Sequence, residues 1–188
     1  MTILKFCANF LMLSAVILAA RNHIFSWVVG IVSCFLYGIM FYENKLYADV
    51  TLQVFFVITN AYAWYHWLRG GSNRTVLPIS KLRVKYLVLY GVLAAICTLA
   101  YGKMLHTWTD ASFPFVDSII LAFSILAHLL LMGRILESWY FWILVDSVAV
   151  PLYFAKGLYL TSGVYSLILI NAIMGLLRWK KLFREGKG

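Results

Sequence analysis

Charged residues are scarce in this sequence: Asp, Glu, Lys and Arg together make up only 12% of its 188 residues. A soluble domain typically contains about a quarter charged residues, and a disordered chain has few apolar ones. Here apolar residues reach 63% and the mean hydropathy is +0.86. The composition excludes both a water-soluble globule and a disordered chain, and it indicates an integral membrane protein.

Cysteines are also few, and their spacing is not that of metal ligands. Cys7, Cys34 and Cys97 each lie in an apolar stretch, so we interpret them as buried thiols. The sequence also lacks a phosphate-binding glycine-rich loop, a His-Glu-x-x-His motif, a Gly-x-Ser-x-Gly motif and a pair of histidines placed for haem. These absences argue against ATP-driven transport and against enzyme chemistry of those classes, and we expect neither a metal nor a cofactor.

Seven apolar segments use most of the chain. A helix needs about 20 apolar residues to cross about 30 Å of hydrocarbon, and a lipid-exposed backbone must satisfy its hydrogen bonds within its own segment. The sequence therefore predicts an all-α membrane protein with seven transmembrane helices, at residues 3–20, 24–42, 46–68, 84–102, 112–132, 138–156 and 158–179. The first segment is similar to a signal peptide, but the repeat described below favours a retained span.

The distribution of basic residues predicts the orientation. With seven spans, one face of the membrane carries Arg21, Arg69, Arg74, Lys81, Arg83, Lys85, Arg134, Arg178, Lys180, Lys181, Arg184 and Lys187, and the other face only Lys5, Lys45, Lys103 and Lys156. Because cytoplasmic loops are enriched in Lys and Arg, we expect the C-terminus in the cytoplasm and the N-terminus outside. The enrichment of Lys and Arg in cytoplasmic loops thereby explains the net charge of +9, and we expect no nucleic-acid partner.

An internal repeat relates the two halves of the chain by a shift of 112 residues. Ser26-Trp27 aligns with Ser138-Trp139, Leu46-Tyr47 with Leu158-Tyr159, and Trp67 with Trp179. The shift also carries the first apolar segment onto the fifth, so each repeat contains three spans. Since three is an odd number, two parallel copies need one more crossing, which segment 84–102 supplies.

The predicted organisation is therefore three helices, one linker helix and three helices. Residues 1–68 form the first repeat, residues 69–111 contain a cytoplasmic loop, the linker helix and an outer loop, and residues 112–188 form the second repeat and a basic cytoplasmic tail. Parallel repeats are typical of transporters whose substrate site lies between the halves. The alternative is an ordinary six- or seven-helix bundle with coincidental tryptophan belts.

Polar side chains inside the third span are candidates for substrate binding, because polar groups in hydrocarbon are costly. Gln53, Asn60, Trp64 and Trp67 follow helical spacing and share one stripe. The two amides offer hydrogen-bond donors and acceptors, and the two indoles offer flat faces for stacking. The alternatives are contacts between helices for the amides and an interfacial aromatic belt for the tryptophans.

A second group of candidates lies in the sixth and seventh spans. Trp139, Trp142 and Asp146 share a stripe, and Pro151 follows, where its missing N–H predicts a kink. Asn171 adds an amide in the seventh span. An ionised Asp146 would provide the counter-charge for a cationic substrate.

Several motifs resemble those of the PnuC-type vitamin transporters. They are Lys45-Leu46-Tyr47-Ala48-Asp49, Leu52-Gln53-Val54-Phe55-Phe56, Asn60-Ala61-Tyr62-Ala63-Trp64-Tyr65-His66-Trp67, Phe113-Pro114-Phe115-Val116-Asp117-Ser118, Trp139-Tyr140-Phe141-Trp142, Lys156-Gly157-Leu158-Tyr159 and Gly175-Leu176-Leu177-Arg178-Trp179. The resemblance covers roughly residues 20–180. It implies uptake of nicotinamide riboside by facilitated diffusion across the bacterial inner membrane, trapping by a cytoplasmic kinase, and a three-one-three fold related to SWEET sugar transporters.

The resemblance also implies roles for individual residues. The family's Trp-x-x-Trp motif corresponds to Trp64 and Trp67, and its polar third-span positions correspond to Gln53 and Asn60. Some nicotinamide riboside members have Asn where this chain has Asp146, and relatives carry thiamine, riboflavin or deoxynucleosides. A thiamine or other vitamin transporter is therefore the main alternative.

Two further classes of function remain open at this point. An intramembrane enzyme acting on lipid or quinone would need a nucleophile and base, or metal ligands, converging across helices. A sensor or assembly subunit would have Gln53, Asn60 and Asp146 bonded to one another. The expected partners are a small-molecule substrate and membrane lipid, and the sequence leaves open whether the protein is a homo-oligomer.

Overall fold

The computed structural model describes residues 2–43, 47–69, 78–108, 113–155 and 159–186. Within these residues the chain forms seven α-helices: α1 (Thr2–Ala20), α2 (Phe25–Glu43), α3 (Tyr47–Arg69), α4 (Val84–Trp108), α5 (Pro114–Met132), α6 (Ser138–Ala155) and α7 (Tyr159–Arg184). All seven correspond to predicted segments, which confirms the all-α seven-helix fold.

Four helical stretches in the described residues are long and apolar enough to cross a membrane: Val84–Trp108, Pro114–Met132, Ser138–Ala155 and Ser162–Arg184. Phe6–Ala20 and Phe25–Ile39 are shorter apolar stretches. Helix α3 is less apolar than these stretches, because its sequence includes Gln53, Asn60 and His66.

Two helices extend beyond their predicted ends. Helix α4 continues to Trp108 and α7 to Arg184, whereas the apolar pattern predicted ends at residues 102 and 179. The extension of α4 contains Lys103 and His106, and that of α7 contains Lys180, Lys181 and Arg184. Lys and Arg are good helix formers, and cations are favoured near a helix C-terminus by the helix dipole. The predicted boundaries follow the apolar sequence, and the helices continue into the more polar sequence beyond it.

The helices belong to two compact units. The first contains α1, α2 and α3, and the second runs from Ile79 to Phe183 and contains α4 to α7. In the first unit α2 packs against both α1 and α3. The Ser33 hydroxyl on α2 donates to the carbonyl oxygen of Ala8 on α1, at 3.0 Å, and Ala8 is fully buried.

In the second unit α5 packs against both α4 and α6. Gly102 allows α4 to approach α5 closely, because a Cβ at this position would lie 2.5 Å from a ring carbon of Phe115. Helices α6 and α7 are connected by the Ser162 hydroxyl, which donates to the carbonyl oxygen of Val150 at 2.9 Å.

A short extended segment, Ser80 to Leu82, is bonded to the turn between α5 and α6, and we call this contact the clasp. The Ser80 N–H donates to the Arg134 carbonyl at 3.0 Å, and the Leu136 N–H donates to the Ser80 carbonyl at 2.9 Å. The Leu82 N–H donates to the Glu137 carboxylate at 2.9 Å. Arg134 and Glu137 are both buried, and burial lowers the pKa of Arg134 to about 10, so its guanidinium remains charged at neutral pH.

The prediction of buried thiols is wrong for two of the three cysteines. Cys7 and Cys97 are exposed at the protein surface, and Cys34 is half-buried. In a membrane protein an apolar surface faces lipid, so a thiol in an apolar stretch does not have to be enclosed by protein.

Candidate substrate-binding site

Asn60 is the most enclosed of the predicted amides. It lies on α3 with only 6% of its surface exposed, facing α2. Its amide nitrogen donates to the Cys34 sulfur at 3.8 Å. Gly30, also on α2, lies beside the same amide, and a Cβ there would be 3.5 Å from the Asn60 nitrogen. A carboxamide has two N–H donors and one acceptor oxygen, so this single contact leaves hydrogen-bonding capacity for a ligand.

The other residues of the α3 stripe differ in exposure. Gln53 is half-buried, with its Cβ within 3.8 Å of the position that a Cβ on Gly38 would take. Trp64 has 40% of its surface exposed, whereas Trp67 has 1%. The four residues therefore do not form one uniformly accessible stripe: Asn60 and Trp67 point into the unit, and Trp64 is open.

Two buried tryptophan pairs have the same geometry in the two units. Trp27 and Trp67 pack edge to face with ring centroids 5.3 Å apart and planes at 83°. Trp139 and Trp179 pack edge to face at 5.6 Å and 77°. The residues of the second pair lie 112 positions after those of the first. Trp67 and Trp139, predicted to stack on substrate, each have one side covered by a tryptophan of their own unit.

Gly175 on α7 makes room for the Trp139 ring. A Cβ at this position would lie 2.9 Å from two carbons of that ring, a distance that real side chains essentially never show. Within the described part of the chain, neither the Trp139 indole N–H nor the Ser138 hydroxyl has a hydrogen-bond partner. The Trp139 ring is therefore held by shape rather than by polar contacts.

The one acidic residue of the predicted site, Asp146, is almost completely enclosed. It lies on α6 with 1% of its surface exposed, and one of its carboxyl oxygens, Oδ2, has no hydrogen-bond partner among the described residues. Trp142, one turn earlier, is half-buried, as is Asn171 on α7. Pro151 lies inside α6. Burying a carboxyl group with an unpaired oxygen lowers the stability of a protein, and such groups often mark functional sites.

The structure thus divides the eight predicted residues equally between the units. Gln53, Asn60, Trp64 and Trp67 lie in the first, and Trp139, Trp142, Asp146 and Asn171 lie in the second. Sequence reasoning missed the involvement of Gly30 and Cys34 next to Asn60. The 112-residue shift could have indicated them, because it aligns Gly30 with Trp142 and Cys34 with Asp146.

Comparison with known proteins gives consistent matches over nearly the whole chain. The chain is 27% identical over a 197-residue alignment to the nicotinamide riboside transporter PnuC of Escherichia coli (strain K12), covering 89% of this chain and 81% of that one. It is also 27% identical, over 175 residues, to the riboflavin/roseoflavin transporter RibM of Streptomyces davaonensis, covering 91% and 81%.

A solved structure shares the fold. The crystal structure of the vitamin B3 transporter PnuC matches with a TM-score of 0.74 and 24% sequence identity, covering 97% of this chain and 82% of that one. A family model described as nicotinamide mononucleotide transporter matches residues 2–181, which include nearly all of the seven helices. This protein therefore belongs to the nicotinamide mononucleotide transporter family, a family of membrane transporters and not of enzymes.

Proposed function

We propose that this protein carries nicotinamide riboside across the bacterial inner membrane by facilitated diffusion. The observation that carries the proposal is the family match over residues 2–181, together with relatives named as nicotinamide riboside transporters in Escherichia coli and Neisseria mucosa. The absence of an ATP-binding motif from the sequence favours a gradient as the driving force.

The mechanism is alternating access by two parallel three-helix repeats, α1–α3 and α5–α7, with α4 as the linker helix. The two tryptophan pairs support this organisation, because the same edge-to-face contact joins α2 to α3 and α6 to α7 at positions 112 residues apart. A tight internal contact in each repeat favours movement as a rigid body, since packed cores deform little. Substrate is then exposed to one side of the membrane and afterwards to the other.

Aromatic and acidic residues recognise the nicotinamide ring. Its pyridinium is a flat cation, and cation–π attraction contributes about 2 kcal/mol when the pair is desolvated. Trp64 and Trp142 are the accessible indoles among the predicted residues. Trp67 and Trp139 are each 1% exposed, so they contribute to the site by packing within their own units. The Asp146 carboxylate supplies the counter-charge.

Amides recognise the remaining polar groups. Gln53, Asn60 and Asn171 bind the ribose hydroxyls or the carboxamide of the substrate, since each amide can both donate and accept. The enclosure of Asn60 (6% exposed) supports this role, because a buried hydrogen bond discriminates strongly against an analogue that lacks the partner group. The C-terminus lies in the cytoplasm, in agreement with the excess of Lys and Arg on that face.

The test is uptake by purified protein in liposomes with radiolabelled nicotinamide riboside, and with nicotinamide mononucleotide, thiamine and riboflavin as competitors. We expect saturable uptake of the riboside and no pumping against a gradient. Riboflavin is the second candidate substrate, because the riboflavin/roseoflavin transporter RibM is also 27% identical to this chain. Uptake of riboflavin without uptake of the riboside would overturn the proposal in favour of that candidate.

A further inference from the structure

We infer that Gly30 and Cys34 on α2 are positioning residues, which hold the Asn60 carboxamide in the orientation in which it binds substrate. The inference rests on the proposed transport function, since it concerns how one residue of that site is held. Neither residue needs to touch the substrate, because each acts through Asn60.

One hydrogen bond and the limited space beside Gly30 constrain the amide. Its nitrogen donates to the Cys34 sulfur at 3.8 Å, which suits a thiol, a polarisable and weak acceptor. A Cβ on Gly30 would lie 3.5–3.6 Å from the amide nitrogen, carbon and oxygen of Asn60. That is ordinary contact distance, so the space between α2 and the amide accepts a methyl group, and a larger side chain would move the amide.

Under the 112-residue shift, the aligned residues on this face of the helix differ between the two units. Gly30 and Cys34 align with Trp142 and Asp146 on α6, and Asn60 aligns with Ala172 on α7. In the second unit the large and polar groups stand on α6, and the facing helix contributes Ala172, which is 1% exposed. In the first unit the small residues stand on α2, and the polar group stands on α3.

The position of the polar group on α3 in the first unit, rather than on the helix aligned with α2, explains why a glycine and a cysteine occupy residues 30 and 34. A tryptophan at residue 30, as at the aligned position of α6, would take the space that the Asn60 amide now fills. The thiol at residue 34 provides a partner for one N–H without introducing a charge next to the amide. The remaining donor and acceptor capacity of Asn60 is left for the ligand, and its direction is set by α2.

Two matched pairs of variants test this. Cys34→Ala removes the acceptor, and Cys34→Ser restores one of similar size. Gly30→Val pushes on the amide, whereas Gly30→Ala places its Cβ at ordinary contact distance. We expect Cys34→Ala and Gly30→Val to raise the KM for riboside uptake about threefold to tenfold, as for the loss of one modest hydrogen bond, with the maximal rate within about twofold. The Ser and Ala controls should stay within about twofold of the wild-type KM.

A double-mutant measurement separates positioning from a general effect on packing. In an Asn60→Ala background, Cys34→Ala should change the KM no further, because the group that it positions is gone. An equal increase in both backgrounds, or an unchanged KM in Cys34→Ala, would overturn the inference. Each variant is accepted only if its thermal unfolding in detergent matches that of the wild type.

The wild-type result keeps the two claims apart. If wild-type protein transports riboflavin rather than the riboside, the proposed substrate is wrong, and the same variants are measured with riboflavin and judged by the same criteria. If wild-type protein transports the riboside and the double-mutant prediction fails, only the positioning role is wrong. If wild-type protein transports neither compound, both are overturned.

Discussion

The helices α1–α3 and α5–α7 carry matching tryptophan pairs but different polar groups. Trp27–Trp67 and Trp139–Trp179 pack edge to face at nearly the same distance and angle. By contrast, Asn60 in the first triplet aligns with an alanine in the second, and Asp146 in the second aligns with a cysteine in the first. The two triplets thus share a packing contact and differ in their polar groups, which is what the proposed repeat needs if an asymmetric substrate takes different donors and acceptors from each triplet.

The largest effects should come from breaking the shared packing. Trp27→Ala and Trp139→Ala each remove a buried indole and its edge-to-face partner contact, at an expected cost of about 3–5 kcal/mol in the free energy of unfolding. If the pairs are equivalent, the two costs should agree to within about 1 kcal/mol, as measured by unfolding in mixed micelles. Should one variant be as stable as the wild type, the pairs are not equivalent contacts. Trp64→Ala is the matched control on an exposed position and should cost much less.

A smaller effect is expected at the glycine that packs against the second tryptophan pair. Gly175→Ala places a Cβ 2.9 Å from the Trp139 ring, so the ring must shift, at an expected cost of about 1–3 kcal/mol. The aligned residue in the first triplet is already Ala63, which is fully buried. Thermal unfolding of Gly175→Ala, with Gly163→Ala on the same helix as an open-space control, measures this. A Gly175→Ala variant that is more stable than the wild type would show that the ring is free to move.

The charge that distinguishes the triplets should affect one class of substrate. Asp146→Asn keeps the shape and removes the counter-charge, and we expect the KM for the cationic riboside to rise about tenfold, equivalent to about 1.4 kcal/mol. Uptake of an uncharged analogue, reduced nicotinamide riboside, should change by less than about twofold. Equal effects on both compounds would mean that Asp146 contributes through shape or hydrogen bonding and not through charge.

The smallest effects are expected at a pair of aligned serines. Ser26 and Ser138 are both buried, and neither hydroxyl has a hydrogen-bond partner among the described residues. Replacing each by Ala removes a hydroxyl that gains nothing from its surroundings, so stability should stay within about 0.5 kcal/mol of the wild type or rise slightly. A loss above about 1.5 kcal/mol in either variant would reveal a partner for that hydroxyl.

Hydropathy was sufficient to predict the seven helices, because each must supply its own run of apolar residues to cross the bilayer. The enclosure of Asn60 and Asp146 was also foreseeable, since polar groups in a span avoid lipid. The sequence did not predict the two tryptophan pairs, Trp27–Trp67 and Trp139–Trp179. A stripe on one helix does not reveal which face of the neighbouring helix it contacts. The role of Gly30 likewise depends on the close approach of two helices, which a single-helix pattern does not contain.

The clasp could not be predicted from the sequence either, because it joins residues that are far apart along the chain. Glu137 accepts from the Leu82 N–H across 55 residues of chain, and nothing in the local sequence of either marks the partnership. Carboxylates are ordinarily exposed to water, yet Glu137 is buried. Backbone groups of an extended segment need partners wherever they are enclosed, and here a side chain supplies one.

The clasp also has a practical consequence for engineering the polypeptide. Since Ser80 and Leu82 are anchored to the distant turn between α5 and α6, the register of α4 at Val84 does not depend on the stretch that precedes it. The sequence predicts a cytoplasmic loop before α4, and doubling the length of a loop costs only about 0.6 kcal/mol in closure entropy. An epitope tag or a protease recognition sequence inserted between Gly71 and Val76 should therefore be tolerated, and would give a handle on the protein that leaves its helices untouched.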